Sequence, residues 1–393
     1  MNPAIDFVFA RMPELHFGAG RLAQLTSLLQ PAQRVLLVTG SVSFLRSPHY
    51  DDLTRSLADA GIHHFQVSVS GEPSPDFVDQ TVARYRGEAI DWVIGIGGGS
   101  AMDAGKAIAA MLPQDGSVTD FLEGRETRKH DGRKTPYVAI PTSSGTGAEA
   151  TKNAVLSQIG GDGFKSSLRH DNFVPDIALI DPQLMLSCPP DVTAACSLDA
   201  LTQLLESYVS TKASPMTDAL ALSGLEHVAA GLLPACENGA TDLVARSHMA
   251  YAALLSGVTL ANAGLGVVHG LAGPLGGFFA IPHGVVCGTL LAEATRLTIA
   301  ALLHHEAENH VPLAKYATVG ALLAGRPPGS LRNDCATLVQ TLEQWSERLC
   351  IPRLGHYGIT AADFPKILAK SNGKNSPATL DREQMAAILE ARL

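Results

Sequence analysis

Short apolar runs and amphipathic stretches alternate along the first 182 residues of the chain. Runs rich in β-branched residues end in glycine, proline or small polar residues, as expected for buried parallel strands. Between them, apolar residues recur at helical spacing near 51–61, at 75–87 and at 101–112. The predicted strands lie in RVLLVTG (34–40), HHFQVSVSG (63–71), DWVIGIGGGS (91–100), PYVAIP (136–141) and PDIALIDP (175–182). Strands that alternate with helices predict a doubly wound, mostly parallel sheet of Rossmann-like type. The stretch after 141–149 is predicted to be helical as well.

The pattern changes after residue 182. Long segments that are apolar on one face follow, and the β-branched runs become rare. This pattern indicates an all-helical second half. We therefore expect an α/β domain over residues 1–182 and an all-α domain over 183–393, which agrees with a chain of 393 residues exceeding one ordinary domain.

Composition narrows the class of protein. The formal charge of −9 argues against nucleic-acid or anionic-membrane binding, because both need basic surfaces. Polar residues interrupt the apolar runs, so no membrane-spanning segment is expected. The six cysteines lack CxxC spacing and are expected to be reduced, and no signal-peptide pattern opens the chain. These features predict a soluble, cytoplasmic protein that binds neither nucleic acid nor a membrane.

A glycine cluster lies where the strand at 91–97 gives way to a helix. Gly97, Gly98 and Gly99 would let a diphosphate approach the backbone, and the following helix start offers free N–H groups. Ser100 could serve as N-cap, and Asp103 follows at the spacing of a capping box. The pattern is not GxGxxG, and a tight structural turn is the alternative. A second turn of small residues, PTSSGTGAE (141–149), favours one nucleotide across this sheet edge.

The end of the first predicted strand bears on the choice of cofactor. An acid at this place would bind the ribose 2′-hydroxyl of NAD and repel the 2′-phosphate of NADP. The chain has Gly40 there and no acid until Asp51, so NADP should be tolerated. Gly40 could also serve only to make a turn, which suits both cofactors.

Four residues of the helical half could supply metal ligands. Asp199 lies in SLDALTQLLE, with Gln203 one helical turn later on the same face. His269 and His283 lie fourteen residues apart, near the starts of two predicted helices. Two imidazoles and a carboxylate are the usual protein ligands of a catalytic divalent metal, although either histidine alone could be a core residue.

The order and spacing of these motifs resemble the iron-containing (group III) alcohol dehydrogenase family, which is related to glycerol dehydrogenase and dehydroquinate synthase. The matching blocks are HFGAGRLAQL (16–25), GIGGGSAMDAGKAIA (95–109), PTSSGTGAEAT (141–151), ALIDPQLMLSCPP (178–190), SLDALTQLLESYVS (197–210) and residues 261–291. The resemblance implies NAD or NADP bound to the first domain and a divalent metal, Fe²⁺ or alternatively Zn²⁺, in the cleft between domains. It also implies a homodimer.

The resemblance carries residue roles onto this chain. It implies that Gly97, Gly98, Gly99, Ser100 and Asp103 hold the pyrophosphate, and that Thr142, Ser143 and Thr146 form the second nucleotide turn. Lys165 would reach the cofactor ribose. The metal positions fall on Asp199, Gln203, His269 and His283.

Two positions depart from the family pattern. Gln203 stands where the family has histidine, and Gly273 stands where a second histidine would follow His269 by four residues. Gln203 is therefore either a weaker oxygen ligand or a neighbour of the metal. The missing histidine puts a substrate or proton-relay role in doubt.

The expected activity is hydride transfer between NAD(P) and a small alcohol, aldehyde or hydroxy acid, with the divalent metal acting as Lewis acid. Alternatives are a maleylacetate-reductase-like or sugar-acid alcohol oxidase branch of the family, a lyase of the dehydroquinate synthase type, and a non-catalytic relative.

Overall fold

The computed structural model describes residues 5–161, 163–373 and 375–393, and within them eight strands and thirteen α-helices. The strands are β1 (Glu14–Phe17), β2 (Arg34–Gly40), β3 (His63–Val69), β4 (Trp92–Gly97), β5 (Tyr137–Pro141), β6 (Asn153–Gln158), β7 (Phe164–Arg169) and β8 (Ile177–Ile180). The helices of the first half are α1 (Leu25–Leu28), α2 (Pro48–Asp59), α3 (Pro75–Tyr85) and α4 (Gly99–Met111). Those of the second half are α5 (Pro190–Val209), α6 (Pro215–Asn238), α7 (Leu243–Ala263), α8 (Val267–Phe278), α9 (His283–Leu303), α10 (His310–Leu323), α11 (Leu331–Arg348), α12 (Phe364–Lys370) and α13 (Arg382–Glu390).

Within the described residues, six strands pair in parallel in the order β1-β8-β5-β4-β2-β3. Alternate residues of β2 face opposite sides: Leu36 and Val38 pack in one apolar cluster, and Val35 and Leu37 in another. Both faces of the strand are thus buried, which explains its continuous apolar run. The predicted fold class, a doubly wound sheet followed by a helical half, is confirmed.

The segment after the second small-residue turn differs from the prediction of a helix. A single 3-10 turn (Ala148–Ala150) is followed by the antiparallel hairpin β6–β7. The buried Lys106 ammonium binds the carbonyl oxygens of Ala148, Thr151 and Asn153 at 2.8–2.9 Å. A helix would need such carbonyls for its own ladder, so this lysine favours the hairpin instead. The hairpin brings Lys165, on β7, to the cleft.

Helix α5 runs through the core of the second half. Every residue from Ser197 to Val209 is buried, since α6, α7 and α9 pack around it. A helix that is apolar on all sides is typically a central helix. Two polar side chains of this helix, Asp199 and Gln203, are therefore held away from bulk water.

Among the described residues, α6 and α9 are long and apolar enough to cross a membrane, and α7 and α8 would be so as a pair bent by 100°. These helices meet the criterion by length and composition only, so the expectation that no segment spans a membrane stays a prediction. In the folded chain, 72% of the apolar window of α9 is buried, and its first turn carries His283 to the cleft. Helix α6 has 44% of its window buried.

Candidate active site

The glycine-rich turn at 97–100 leads into the start of α4. Gly98 is the N-cap of this helix, and the first intrahelical hydrogen bonds run from Ala101 and Met102 to the Gly98 carbonyl oxygen. The N–H groups of Gly99 and Ser100 precede this ladder, at the positive end of the helix. This arrangement suits a diphosphate.

Two glycines of this turn are required by close packing. Gly97 has φ +156°, and a Cβ there would lie 2.7 Å from the Ala101 Cβ. A Cβ at Gly99 would lie 2.8 Å from Thr146 Cγ2, so the two small-residue turns touch each other. The sequence argument that both turns serve one site is consistent with this contact.

The predicted N-cap is wrong by two residues. The helix begins at Gly99, so Ser100 lies in its first turn and Gly98 takes the cap position. Asp103 consequently forms no capping box but lines the cleft near Lys106. Burial raises the pKa of Asp103 to about 7, and the positive charge of Lys106 opposes the rise only in part.

The remaining nucleotide positions lie around this turn. Gly40 ends β2 beside Gly97, and the Thr142 N–H donates to the Gly97 carbonyl oxygen at 2.8 Å. Thr142 lines a side cavity of about 220 Å³, which Gly98 and Ser143 also line. Lys165 reaches the main cleft from β7, with its ammonium 3.2 Å from the Glu72 carboxylate.

Four side chains converge at the helical side of the cleft. Asp199 on α5, His269 on α8, and His283 and Cys287 on α9 place one potential ligand atom each within 4.8 Å of the others. The Asp199 Oδ1 atom lies 3.3 Å from His269 Nε2 and 3.7 Å from His283 Nε2. Among the described residues, this buried oxygen is one of few side-chain atoms without a hydrogen-bond partner. A buried, unpartnered carboxylate oxygen between two imidazoles fits a divalent cation.

Glu206 orients the first of these histidines. Its Oε2 lies 2.7 Å from His269 Nδ1, and its Oε1 accepts from the Val268 N–H, also at 2.7 Å. In the neutral ring, an Nδ1 proton directed at Glu206 leaves the Nε2 lone pair facing Asp199, and a cation would displace any proton on Nε2. A carboxylate behind a metal-binding imidazole is the usual device that fixes its tautomer.

Gln203 lies one turn after Asp199 and is 2% exposed. Its Oε1 accepts a hydrogen bond from Ser256 Oγ at 3.0 Å, and its side chain lies near the Asp199 carboxylate and helps to lower the pKa of that carboxyl. Because the amide oxygen is taken by Ser256, the NH₂ group is the part of the amide left for a carboxylate acceptor such as Asp199. Gln203 therefore links α5 to α7 beside the Asp199 carboxylate.

Burial and neighbouring charges shift the pKa values of the cluster residues in opposite directions. Burial disfavours ionised Asp199, but His283, His269 and the Gln203 hydrogen bond outweigh it, so the pKa of this carboxyl is lowered. Burial lowers the pKa of His283 to about 4. Burial also disfavours charged His269, but Cys287 and the neighbouring Asp199 and Glu206 carboxylates raise its pKa well above the ordinary value. Burial raises the pKa of the Cys287 thiol to about 12.

One cleft of about 710 Å³ joins the two groups of residues. Of the predicted positions, it is lined by Gly98, Gly99, Ser100, Asp103, Ser143, Thr146, Lys165, Asp199, Gln203, His269 and His283. Gly273 also faces this cleft, and a Cβ there would meet no atom within 4 Å. The departure at Gly273 therefore leaves open space next to the histidines.

Sequence reasoning missed Glu206 and Cys287. Each lies on the same helical face as a residue that was identified, since Glu206 follows Asp199 by seven residues and Cys287 follows His283 by four. That spacing was a usable signal. The contact between Glu72 and Lys165 had no signal, because the two residues lie on different elements.

Family comparisons agree with this geometry. Residues 13–182 match the family described as "Iron-containing alcohol dehydrogenase". Residues 193–393 match "Fe-containing alcohol dehydrogenase family, C-terminal". The chain belongs to the iron-containing alcohol dehydrogenase family. It is thus an oxidoreductase of a family that acts on alcohols and uses NAD(H) and a metal.

Several members are similar over most of their length. A long-chain-alcohol dehydrogenase of Geobacillus thermodenitrificans is 40% identical over 71% of this chain and 70% of its own. An NADPH-dependent butanol dehydrogenase of Clostridium saccharobutylicum is 30% identical over 96% of this chain and 95% of its own. The crystal structure of a 1,3-propanediol oxidoreductase, 28% identical, superimposes with a TM-score of 0.88 over 99% of this chain and 100% of that chain.

Proposed function

We propose that this member of the family transfers a hydride between NAD(P) and a small alcohol or aldehyde, with a divalent cation held by the histidine cluster. The observation that carries the proposal is that the glycine turn and the cluster line the same cleft. A nucleotide and a cation bound there would face each other across one cavity. Positioning of two reactants in this way can supply much of the rate of a hydride transfer.

The residues that line the cleft are proposed to have separate roles in binding the nucleotide and the cation. The start of α4 would bind the diphosphate, and the close packing of Gly99 on Thr146 excludes side chains from its path. Asp199 holds negative charge between the imidazoles. Glu206 favours the His269 tautomer whose Nε2 lone pair faces Asp199. A bound cation would supply Lewis acidity to the substrate oxygen, and the nicotinamide would accept or donate the hydride.

The cofactor is proposed to be either NAD or NADP. Strand β2 ends in Gly40, so no carboxylate at the end of this strand repels a 2′-phosphate. A relative named as an NADPH-dependent butanol dehydrogenase supports the same choice. Equal or tighter binding of NADPH than of NADH would be expected.

The substrate is proposed to be a small, uncharged alcohol or its aldehyde. Relatives named for long-chain alcohols, butanol and 1,3-propanediol support this class. Among the described residues that line the cleft, Lys165 and Arg169 are the basic ones, and Glu72 pairs with Lys165. That is few cations for a substrate with both phosphate and carboxylate groups, so the lyase alternative has less support.

Metal reconstitution with an alcohol panel tests the proposal. The metal-depleted protein is given Fe²⁺, Zn²⁺ or Mn²⁺ and assayed with NAD⁺ and NADP⁺ on alcohols of three to eight carbons. Asp199→Asn should lose the metal and turnover while NADH still binds by fluorescence titration. Asp191→Asn, which removes a carboxylate from the exposed first turn of the same helix, should keep its metal. Full turnover of metal-depleted protein would contradict the proposal.

A cytoplasmic location and a homodimer remain predictions from the sequence. Fractionation of cells and sedimentation of the purified protein test them directly.

A further inference from the structure

Cys287 stands in the cluster where neither the sequence motifs nor the family roles placed a ligand. Its side chain lies on α9 one turn after His283, so both project from the same helical face. The Sγ atom is 3.6 Å from His269 Nε2 and 3.8 Å from His283 Nε2. Cys287 itself is fully buried, whereas 24% of the His283 side chain is exposed toward the cleft.

These distances match the edges of a single coordination tetrahedron. With metal–sulfur bonds of about 2.3 Å and metal–nitrogen and metal–oxygen bonds of about 2.0–2.1 Å, sulfur–nitrogen edges are about 3.5 Å and nitrogen–oxygen edges about 3.4 Å. The observed sulfur–nitrogen separations are 3.6 and 3.8 Å, and the oxygen–nitrogen separations are 3.3 and 3.7 Å. These four separations agree with tetrahedral edges to within about 0.3 Å, and all four donor atoms lie within 4.8 Å of one another.

Gln203 does not supply an equivalent donor. Its amide oxygen accepts a hydrogen bond from the Ser256 hydroxyl at 3.0 Å, which leaves the NH₂ group, a donor only, for the side of the cluster. Moving that oxygen into the cluster would break a buried hydrogen bond and bring it against the carboxylate. The imidazole absent from position 203 is therefore not replaced from α5.

We propose that Cys287 is the fourth protein ligand of the metal, so that the centre is held by Asp199, His269, His283 and a cysteine thiolate. The inference rests on the proposed function, because it assigns a ligand to the same metal centre. Binding replaces the sulfur–hydrogen bond by a sulfur–metal bond and releases one proton to solvent, with no oxidation or reduction.

A thiolate changes which metal the centre prefers. Thiolate sulfur is a soft donor that favours Zn²⁺ and Co²⁺ over Mn²⁺ and Mg²⁺, in contrast to an amide oxygen. The chain should therefore retain Zn²⁺ or Co²⁺ more tightly than a site built from oxygen and nitrogen alone. Because the sulfur lies on the buried side, an incoming oxygen would approach from the histidine side, where the cleft opens.

Optical spectra of the cobalt-substituted protein test the assignment. Metal-depleted full-length protein is titrated with Co²⁺ under anaerobic conditions, and the near-ultraviolet band of thiolate-to-cobalt charge transfer is recorded. The band should appear in the wild type and vanish in Cys287→Ser. It should persist in Cys335→Ser, a matched control whose thiol is buried elsewhere, against the Leu313 carbonyl oxygen.

Zinc affinity provides a second readout that does not depend on turnover. Loss of a residue behind a ligand commonly costs about 10–100-fold in metal affinity, so loss of a ligand should cost about 100-fold or more in Zn²⁺ affinity. Chelator competition measures this for Cys287→Ser and Cys287→Ala. Circular dichroism of the metal-depleted variants shows whether each remains folded, and Cys287→Ala serves if the serine variant does not.

The outcomes separate the two proposals. Cobalt binding without a thiolate band, or a band that persists in Cys287→Ser, overturns the cysteine ligand and leaves the metal centre standing. Failure of the wild type to bind Co²⁺ or Zn²⁺ at all overturns the proposed function and this inference together.

Discussion

Glu206 offers a sharp test of how the histidine cluster is built. Its carboxylate accepts two hydrogen bonds at 2.7 Å, one from His269 Nδ1 and one from the Val268 N–H, and the residue is 7% exposed. Glu206→Gln keeps the shape but turns one oxygen into an NH₂ group. That group must then face a donor, because both partners of the carboxylate are N–H groups.

The magnitude follows from these two contacts. A buried donor left without an acceptor costs about 1–3 kcal/mol, so the metal-depleted variant should lose about that much free energy of unfolding. Loss of the carboxylate behind His269 should also lower metal affinity by about 10–100-fold, which corresponds to about 1.4–2.8 kcal/mol.

Two assays separate these effects. Denaturant unfolding of the metal-depleted protein gives the first, and chelator competition for Zn²⁺ gives the second. Glu226→Gln is the matched control, because Glu226 is an exposed glutamate of α6 and should change neither quantity. Unchanged zinc affinity in Glu206→Gln, with the fold intact, would refute the argument that Glu206 fixes the His269 tautomer.

Three further variants probe the nucleotide side. Burial raises the pKa of Glu149 from 4.5 to about 7. The folded state thus keeps this proton longer than the unfolded chain, and stability should fall by about 3 kcal/mol as pH rises through that window. Glu149→Gln should remove this fall in denaturant unfolding at pH 5 and pH 8, and an unchanged slope would contradict it. Lys106→Met strips the donor from at least three buried carbonyl oxygens and should lower the free energy of unfolding by about 2–4 kcal/mol, against the alternative of an unchanged midpoint. Gly99→Ala places a Cβ 2.8 Å from Thr146 and should weaken NADPH binding by about 10-fold or more in fluorescence titration, whereas Gly87→Ala, in open space, should not.

The alternation of strands and helices could be predicted from the sequence because its cause is local. Buried parallel strands such as RVLLVTG must be apolar on both faces, and this requirement leaves a continuous run in the sequence. The hairpin β6–β7 could not be predicted from the local sequence. It is accompanied by contacts from Lys106, which is more than forty residues away and binds carbonyl oxygens that a helix would have used.

The candidate site could likewise be predicted only in part. Asp199, His269 and His283 were identified from residue type and from family resemblance, and the structure brings them together. Cys287 was identified only as one of six reduced thiols, although its spacing from His283 places both on one helical face. Its approach to within 4 Å of both imidazoles depends on how different helices pack. The partner of Gln203, Ser256 on α7, likewise depends on how the helices pack, which periodicity does not determine.

Isotope transfer tests the proposed reaction most directly. The metal-loaded protein is incubated with butan-1-ol or propane-1,3-diol deuterated at the carbinol carbon, together with NAD⁺ or NADP⁺. Mass spectrometry of the reduced cofactor should then show one deuterium, since the hydride passes directly from the alcohol carbon to the nicotinamide within the cleft. Reduced cofactor that carries only solvent hydrogen, or no reduction of either cofactor by metal-loaded protein, would contradict direct hydride transfer at this site.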